Sequence, residues 1–375
     1  MRSLDEARAV CERRLPGLYS ALADVPLPEL EQPGNPGLEL FRKFGGPGLV
    51  IPAAYGGCGV DPLEAVAVVR ALASVAPSLS VATAMHHFSV ATLFTLADSL
   101  RAAGTEWAVL QGIADQNLLV ASGFAEGRPG QGILSPTVTA APVAGGYRIS
   151  GSKRPCSMAS SMDLLSASAA VPGRAEPLML LIPAAAEGIS VHPFWSTPIL
   201  AGAESEEVRL AEVFVDERLA VTAGVDAHGV LDELQTVGFL WFELLICACY
   251  LGMASALVER AFRAGRASRE TLSDLGIRLE SAALLLEPVA RLLIEGRCDN
   301  AALAKTVLAR FAVQDAIGEA AARAMAALGG MAFVTTPEVA YLATASRCLA
   351  FHPPTRAACG DALAESLSGA PFLID

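Results

Sequence analysis

A single carboxylate in a long apolar segment is the first candidate for chemistry in this chain. Glu243 is the only charged residue among the 22 residues 237–258. Burying an unpaired carboxylate is costly, so Glu243 must be paired, solvated in a cleft or protonated. A desolvated glutamate has a raised pKa, which suits a base that works near neutral pH. The alternative is an ion pair between Glu243 and an arginine at a helix or subunit interface, and both interpretations stay open.

Two adjacent histidines, His86 and His87, lie in another apolar segment and are further candidates for catalysis. A core histidine is usually satisfied by a backbone carbonyl, which is the structural alternative for both. The eight cysteines are scattered, and none lies in a CxxC pair with partners at metal spacing. The sequence therefore predicts reduced thiols and no metal site.

The composition indicates a folded enzyme that does not bind nucleic acid. Hydrophobic residues make up 53% of the 375 residues and charged residues 18%, which suffices for a large core. The net charge is −12 and the only lysines are Lys43, Lys153 and Lys305, so no basic stripe could neutralise phosphates. The charged N-terminal segment lacks the apolar region of a secretory signal, and a cytoplasmic location is predicted.

The apolar segment 237–258 is also long enough to cross a bilayer. Charged residues resume at Glu259 without a break in the helical pattern, and no second span appears in the sequence. We therefore favour the central helix of a bundle, which is apolar all round because neighbouring helices cover it. No membrane span is predicted.

The periodicity of apolar residues divides the chain into three parts. Residues 1–117 have a helical pattern with proline and glycine turns, and Asp61-Pro62 marks a clear helix start. Residues 118–221 alternate as antiparallel strands do, and Gly145-Gly146 suits the turn of a hairpin. Residues 222–375 are helical again. The sequence predicts an α+β fold, with a β domain between two helical ones.

The last long helix is predicted over residues 303–328, with Gly329-Gly330 as its stop. Its polar residues recur every four to five positions and predict one wet stripe: Lys305, Arg310, Gln314, Glu319 and Arg323.

Motifs from all three parts occur in the order and spacing of one known family. They are GLVIPAAYGGCGVDPLEAVAVVRALA (residues 48–73), AEGRPGQG (125–132), GGYRISGSKRPCS (145–157), EVFVDERL (212–219) and ALGGMAF (327–333), with an apolar helix ending in LGMASALVERA. The chain resembles the acyl-CoA dehydrogenase superfamily over nearly its whole length. This resemblance implies an N-terminal α-helical domain, a central antiparallel β-barrel domain and a C-terminal four-helix bundle. It also implies a homodimer or homotetramer.

The resemblance implies FAD, held between the β domain and the C-terminal bundle. One flavin-contacting loop of the family matches Phe124 and Ala125, where Ala125 replaces a hydroxyl residue and keeps only its main-chain donor. The second loop matches Cys156 and Ser157, and the Ser157 hydroxyl falls where it could form a hydrogen bond near flavin N5. A turn serine that bonds its own backbone is the structural alternative for Ser157.

Two further features concern the rest of the cofactor. Gly329 and Gly330 match a glycine pair that, in the family, approaches the cofactor of a neighbouring subunit, while a helix C-cap is the alternative. The family's Arg-x-x-Phe-Gly contact is absent after Glu259, and Arg266 or Arg269 could substitute for it.

The catalytic glutamate of the family is missing from both of its usual positions. Pro353 stands where many members carry it near the C-terminus, and Phe242 stands where others place it on the long apolar helix. The predicted catalytic residues are therefore their neighbours, Glu243 and His352. His352 could act as a base, bind the substrate or serve the structure alone.

Three functional hypotheses follow from the resemblance. The first, which we favour on the sequence, is FAD-dependent α,β-dehydrogenation of an acyl thioester, carried by coenzyme A or a carrier protein in secondary metabolism, with the electron acceptor left open. The second is a flavin-dependent monooxygenase supplied with reduced flavin by a reductase. The third is a noncatalytic partner protein.

Overall fold

A computed structural model describes residues 1–99, 104–128, 134–222 and 230–374. Helices form the chain up to the first strand: α1 (Arg2–Arg14), α2 (Leu18–Ala23), α3 (Leu27–Leu30), α4 (Gly37–Lys43), α5 (Pro62–Ala73), α6 (Pro77–Ala97) and α7 (Glu106–Gln116). The start of α5 is as predicted, because the Asp61 carboxylate accepts a hydrogen bond of 2.9 Å from the backbone N–H of Glu64.

The strands follow in the middle of the chain: β1 (Val120–Gly123), β2 (Thr139–Val143), β3 (Gly146–Cys156), β4 (Leu164–Ala169), β5 (Leu178–Pro183), β6 (Ile189–His192), β7 (Glu206–Asp216) and β8 (Ala220–Thr222). They form two four-stranded sheets, in the orders β1-β4-β5-β8 and β2-β3-β7-β6, around a shared apolar core. The sheets are antiparallel as predicted, except that β1 pairs with β4 in parallel. The α+β fold class is confirmed.

The predicted hairpin turn is displaced by one residue. Val143 pairs with Gly146, so the two-residue loop is Ala144-Gly145 rather than Gly145-Gly146. Gly146 belongs to β3, where a Cβ atom would lie 2.1 Å from the carbonyl oxygen of Val215 on β7. Gly146 is therefore required for the close approach of two strands, and only Gly145 supplies the positive φ of the turn.

The C-terminal part contains the helices α8 (Glu233–Ala264), α9 (Arg269–Ile294), α10 (Asn300–Thr335), α11 (Pro337–Ala345) and α12 (Arg356–Leu367). By length and composition α6, α8 and α10 could each cross a membrane. In this fold α8 is instead covered by α5, α6, α9 and α10, and residues 243–259 are all buried. The apolar run is thus the core helix that the sequence favoured.

One of two predictions about the last long helix needs correction. Gly329 has φ 80° and ψ 164°, which is not helical, so the first helical stretch of α10 stops at the glycine pair as predicted and a second one follows to Thr335. Arg310 does not belong to a wet stripe, because its side chain is only 1% exposed. Lys305, Glu319 and Arg323 are exposed, as predicted. The reason for the burial of Arg310 is a partner on α8, described below.

Candidate active site

An elongated cavity of about 570 Å³ lies where the two sheets meet the helices. One wall is a single face of α6, formed by Val81, Met85, Phe88 and Thr92, which recur at helical spacing. A second wall is formed by α8, which packs directly against α6. Its lining residues run from Leu234 to Tyr250, which corresponds to about 24 Å along the helix axis. The cavity is therefore long enough to hold a flat ring system and a small substrate together.

The β domain forms the third wall, through the ends of β1 and β3 and the segment before β7. This wall contains Phe124, Ala125 and Ser157, which are three of the residues that the sequence predicted to contact the cofactor. The Ser157 hydroxyl lies 3.0 Å from the hydroxyl of Ser205, which also lines the cavity. The Ser157 hydroxyl therefore has a side-chain partner in the cavity wall, unlike a turn serine that bonds its own backbone.

A buried ion pair fixes the loop that carries Phe124 and Ala125. The next residue, Glu126, accepts hydrogen bonds from the backbone N–H groups of Thr137 and Val138 and from the Lys153 ammonium at 2.8 Å. Burial raises the pKa of the Glu126 carboxyl, but the hydrogen bonds from Lys153 and Thr137 outweigh it and lower that pKa to about 2. The loop is therefore anchored by a charged group inside the β domain.

His352 lies in the cavity wall contributed by the segment between α11 and α12. Its Nε2 is 2.7 Å from the hydroxyl of Tyr250 on α8, and its ring centroid is 6.1 Å from that of Phe242. Burial and the nearby positive charge of Arg310 lower the pKa of the imidazole to about 3. His352 is consequently neutral at physiological pH and acts as a hydrogen-bonding group.

Glu243 lies outside the cavity, so the structure favours the ion-pair interpretation over a catalytic base. Successive residues of a helix point about 100° apart. Phe242 therefore faces the cavity while Glu243 faces α10, where its Oε2 is 3.2 Å from Nε of Arg310. Burial raises the pKa of the Glu243 carboxyl, and the positive charge of Arg310 opposes this rise and favours the ionised carboxylate. No proton acceptor on Glu243 reaches the cavity.

Carbon side chains occupy both positions at which the family places its base. Phe242 and Pro353 each line the cavity. Among the described residues, no Asp, Glu, Lys or Arg lines it, and its titratable groups are Cys348, Tyr250 and His352. This wall cannot remove a carbon-bound proton with a carboxylate.

The remaining predicted residues lie elsewhere. The Cys156 side chain packs in the core of the β domain rather than in the cavity, since alternate residues of β3 face opposite sides. Gly329, Gly330 and Arg266 are also outside the lining, and a Cβ atom on either glycine would contact nothing within 4 Å. The second half of the AEGRPGQG motif, residues 129–132, lies outside the described ranges.

Of the paired histidines, His86 has the structural role that the sequence allowed. Its Nε2 contacts the carbonyl of Pro47 at 2.9 Å, and its Nδ1 accepts a hydrogen bond from the backbone N–H of Val120. His87 is fully buried beside Phe41, and neither of its ring nitrogens has a hydrogen-bond partner among the described residues. Neither residue lines the cavity.

Sequence reasoning missed Tyr250, Ser205 and Trp195, which all line the cavity. Only Tyr250 carried a usable signal. It is the one hydroxyl-bearing aromatic residue in the apolar run of α8, and a buried tyrosine hydroxyl normally has a hydrogen-bond partner.

Comparison with known proteins decides the family. Residues 4–106 match the family model for the acyl-CoA dehydrogenase N-terminal domain. The chain is 48% identical to isobutylamine N-hydroxylase of Streptomyces viridifaciens over 378 positions, which cover 100% of both proteins. This chain belongs to the acyl-CoA dehydrogenase superfamily of flavoenzymes.

Solved structures share the fold of this superfamily member at low sequence identity. KijD3, in complex with FMN and dTDP-3-amino-2,3,6-trideoxy-4-keto-3-methyl-D-glucose, has a TM-score of 0.83 at 19% identity, covering 98% of this chain and 95% of its own. PigA, in complex with FAD, has a TM-score of 0.79 at 17% identity, covering 97% of each. These similarities show that the chain shares the fold; the flavin is FMN in the KijD3 complex and FAD in the PigA complex.

Proposed function

We propose that this flavoenzyme is a monooxygenase that hydroxylates the nitrogen of a small primary alkylamine, with reduced flavin supplied by a separate reductase. The observation that carries the proposal is the cavity wall, in which Phe242 and Pro353 replace the carboxylate that dehydrogenation needs. The relative at 48% identity is named for N-hydroxylation of isobutylamine. We therefore propose the second sequence hypothesis in place of acyl thioester dehydrogenation.

The residues at the β wall fit a flavin. The Ser157 and Ser205 hydroxyls offer hydrogen bonds to the polar edge of the ring, and Phe124 offers an apolar surface beside it. Gln235 on α8 adds a buried Oε1 atom that has no hydrogen-bond partner among the described residues, so an acceptor remains for a ligand group. When bound, reduced flavin supplies the activated oxygen. FAD remains the specific cofactor we propose.

The cavity favours the neutral form of an alkylamine. Only the neutral nitrogen has a lone pair to react with an electrophilic oxygen, and an apolar wall without a carboxylate disfavours the ammonium ion. A histidine whose pKa is about 3 cannot take a proton from an ammonium group. We assign to His352 the Nε2–H tautomer, in which Tyr250 accepts that hydrogen and Nδ1 can accept one from the substrate amine. His352 thus orients the nitrogen.

The direct test is product formation by the purified chain. With a flavin reductase, NADH, flavin and oxygen, isobutylamine should give the corresponding hydroxylamine, detected by mass spectrometry with one atom from ¹⁸O₂. An acyl-CoA thioester should bleach no bound flavin. Bleaching by a thioester, or failure to bind any flavin, would contradict the proposal and favour the dehydrogenase or the noncatalytic hypothesis.

The pH dependence should follow the substrate rather than the enzyme. An alkylammonium ion has a pKa of about 10, so kcat/KM should rise about tenfold per pH unit from near neutrality. A fluorinated alkylamine that is already neutral at pH 7 is the matched control and should give a flat profile. A flat profile with isobutylamine itself would mean that the enzyme binds the ammonium ion.

Two aromatic rings should set the size of the alkyl group. Phe88 on α6 and Phe242 on α8 both line the cavity, and their rings meet edge to face at 5.5 Å between centroids. Replacing Phe242 with alanine should lower kcat/KM for isobutylamine by about tenfold and raise it for a bulkier amine such as benzylamine. Phe214→Ala, on the exposed face of β7, is the control and should change neither value. An unchanged ranking of the two amines in Phe242→Ala would exclude this role.

We also propose a cytoplasmic location and a homo-oligomer in which Gly329 and Gly330 approach a neighbouring copy. Exposed apolar side chains follow the glycine pair on α10: Met331, Phe333 and Val334. Gel filtration that gives only a monomer would contradict the second proposal.

A further inference from the structure

A fully buried arginine binds the backbone of the segment that carries His352. Arg310 on α10 donates from Nη1 to the carbonyl of Pro354 at 2.6 Å. Its Nη2 donates to the carbonyls of Leu349 at 2.9 Å and of His352 at 2.7 Å. One rigid, planar guanidinium therefore fixes three carbonyl groups at once, an arrangement that the single point charge of a lysine cannot reproduce.

This segment has few other means of holding its shape. A short 3₁₀-helix, Ser346–Phe351, leads up to His352, but Pro353 and Pro354 have no N–H group to donate, so no helix or sheet continues beyond it. The backbone N–H of His352 makes one contact, with the carbonyl of Leu349 at 3.2 Å. Buried carbonyls need donors, and here the guanidinium of Arg310 supplies them.

The positive charge of Arg310 is balanced by a carboxylate on α8, that of Glu243. Glu243 lies 3.2 Å from Nε of Arg310, and the two side chains are 0% and 1% exposed. A buried cation without a counter-ion is strongly destabilising, so Glu243 allows Arg310 to remain inside the fold. The same helix, α8, supplies Tyr250 to the His352 ring. His352 is thus held at its backbone from α10 and at its ring from α8.

We propose that Arg310 is a positioning residue, which places the His352 imidazole in the cavity by binding three carbonyls, and that Glu243 is its counter-ion. The inference rests on the proposed function, in which His352 orients the substrate nitrogen. Arg310 itself does not line the cavity and touches no reacting atom. Its effect on catalysis must pass through His352.

The test combines substitutions with a direct readout of His352. The chain has five histidines, so ¹⁵N-labelled imidazoles can be assigned by comparison with His352→Phe. In Arg310→Lys the His352 nitrogen signals should shift or broaden as the contact with Tyr250 loosens. The kcat for the amine should fall by about 10²-fold, with KM changed much less. Glu243→Gln leaves the cation of Arg310 without its counter-ion and should lower the urea midpoint of unfolding, while the folded protein keeps the three carbonyl contacts and loses less kcat than Arg310→Lys.

A double variant separates the positioning role of Arg310 from a general loss of folding. Replacing a buried ion pair with apolar residues of similar size is often neutral for stability, so Arg310→Met with Glu243→Leu should fold. It should nevertheless show the altered His352 signals and the lowered kcat. Wild-type signals and kcat in both Arg310 variants would overturn the proposal, and so would failure of both to fold, since Arg310 would then serve the fold as a whole. If even the wild type hydroxylates no amine, the proposed function fails, while the imidazole signals still decide the role of Arg310.

Discussion

His352→Phe should lower kcat for amine hydroxylation by about 10²-fold while leaving flavin bound. Phenylalanine fills the space of the imidazole beside Phe242 and Tyr250 but offers no nitrogen to the substrate amine. The amine then enters the cavity without a fixed orientation. Reduced flavin continues to react with oxygen, so hydrogen peroxide should replace the hydroxylamine as the main product. The measurement is the ratio of hydroxylamine to peroxide per NADH consumed.

Two matched variants separate orientation from packing. His352→Gln retains a hydrogen-bond acceptor and should recover part of the lost coupling. Tyr250→Phe removes the hydroxyl that holds the ring at 2.7 Å and should fall between the wild type and His352→Phe. Full coupling in His352→Phe would show that the nitrogen is oriented by other groups, such as Ser157 or Gln235.

The fold was accessible from the sequence because its signals are local. The Asp61 cap, the alternation of the strands and the uniform apolarity of residues 237–258 each depend on neighbours within a few positions. The ordered motifs then identified the superfamily. The two positions at which the resemblance implied the family's base, Phe242 and Pro353, are visible in the sequence, and the structure places both in the cavity wall.

The partner of Glu243 could not be predicted, and this changed the interpretation of the site. The sequence left a base and an ion pair open for Glu243, and it placed Arg310 on a wet stripe by spacing alone. A contact between helices α8 and α10 depends on how the two helices are rotated about their axes, which periodicity does not fix when both are mostly apolar. The same limit concealed the contact between Tyr250 and His352. When two apolar helices each contain an isolated polar residue, the two residues should therefore be considered as possible partners of each other.

The wall that the β domain contributes to the cavity depends on a second buried ion pair, and Lys153→Met should destabilise the protein by about 3–5 kcal/mol. Lys153 is fully buried, and its ammonium contacts Glu126 at 2.8 Å and the Ser168 hydroxyl at 3.2 Å. Methionine fills most of the space but removes the cation from beside a buried carboxylate. The free energy of unfolding should fall accordingly in urea titrations, and flavin affinity should fall with it because Glu126 anchors the loop of Phe124 and Ala125. Lys305→Met, at an exposed position of α10, should have neither effect.

Acid titration gives the same ion pair a second signature. The pKa of Glu126 is lowered from 4.5 to about 2 in the folded protein, so its contribution to stability is present above pH 4.5 and is lost as the pH falls toward 2. The hydrogen bond from Lys153 lowers the pKa of Glu126 more than any other interaction does. In Lys153→Met this interaction is absent, so the variant should lose less stability than the wild type when the pH falls. Adding Glu126→Gln to Lys153→Met removes the buried charge and should restore much of the stability, because the amide oxygen can still accept from Thr137. If the double variant were no more stable than Lys153→Met, the lost stability would come from packing around Lys153, and the loop beside the flavin would not depend on this charge.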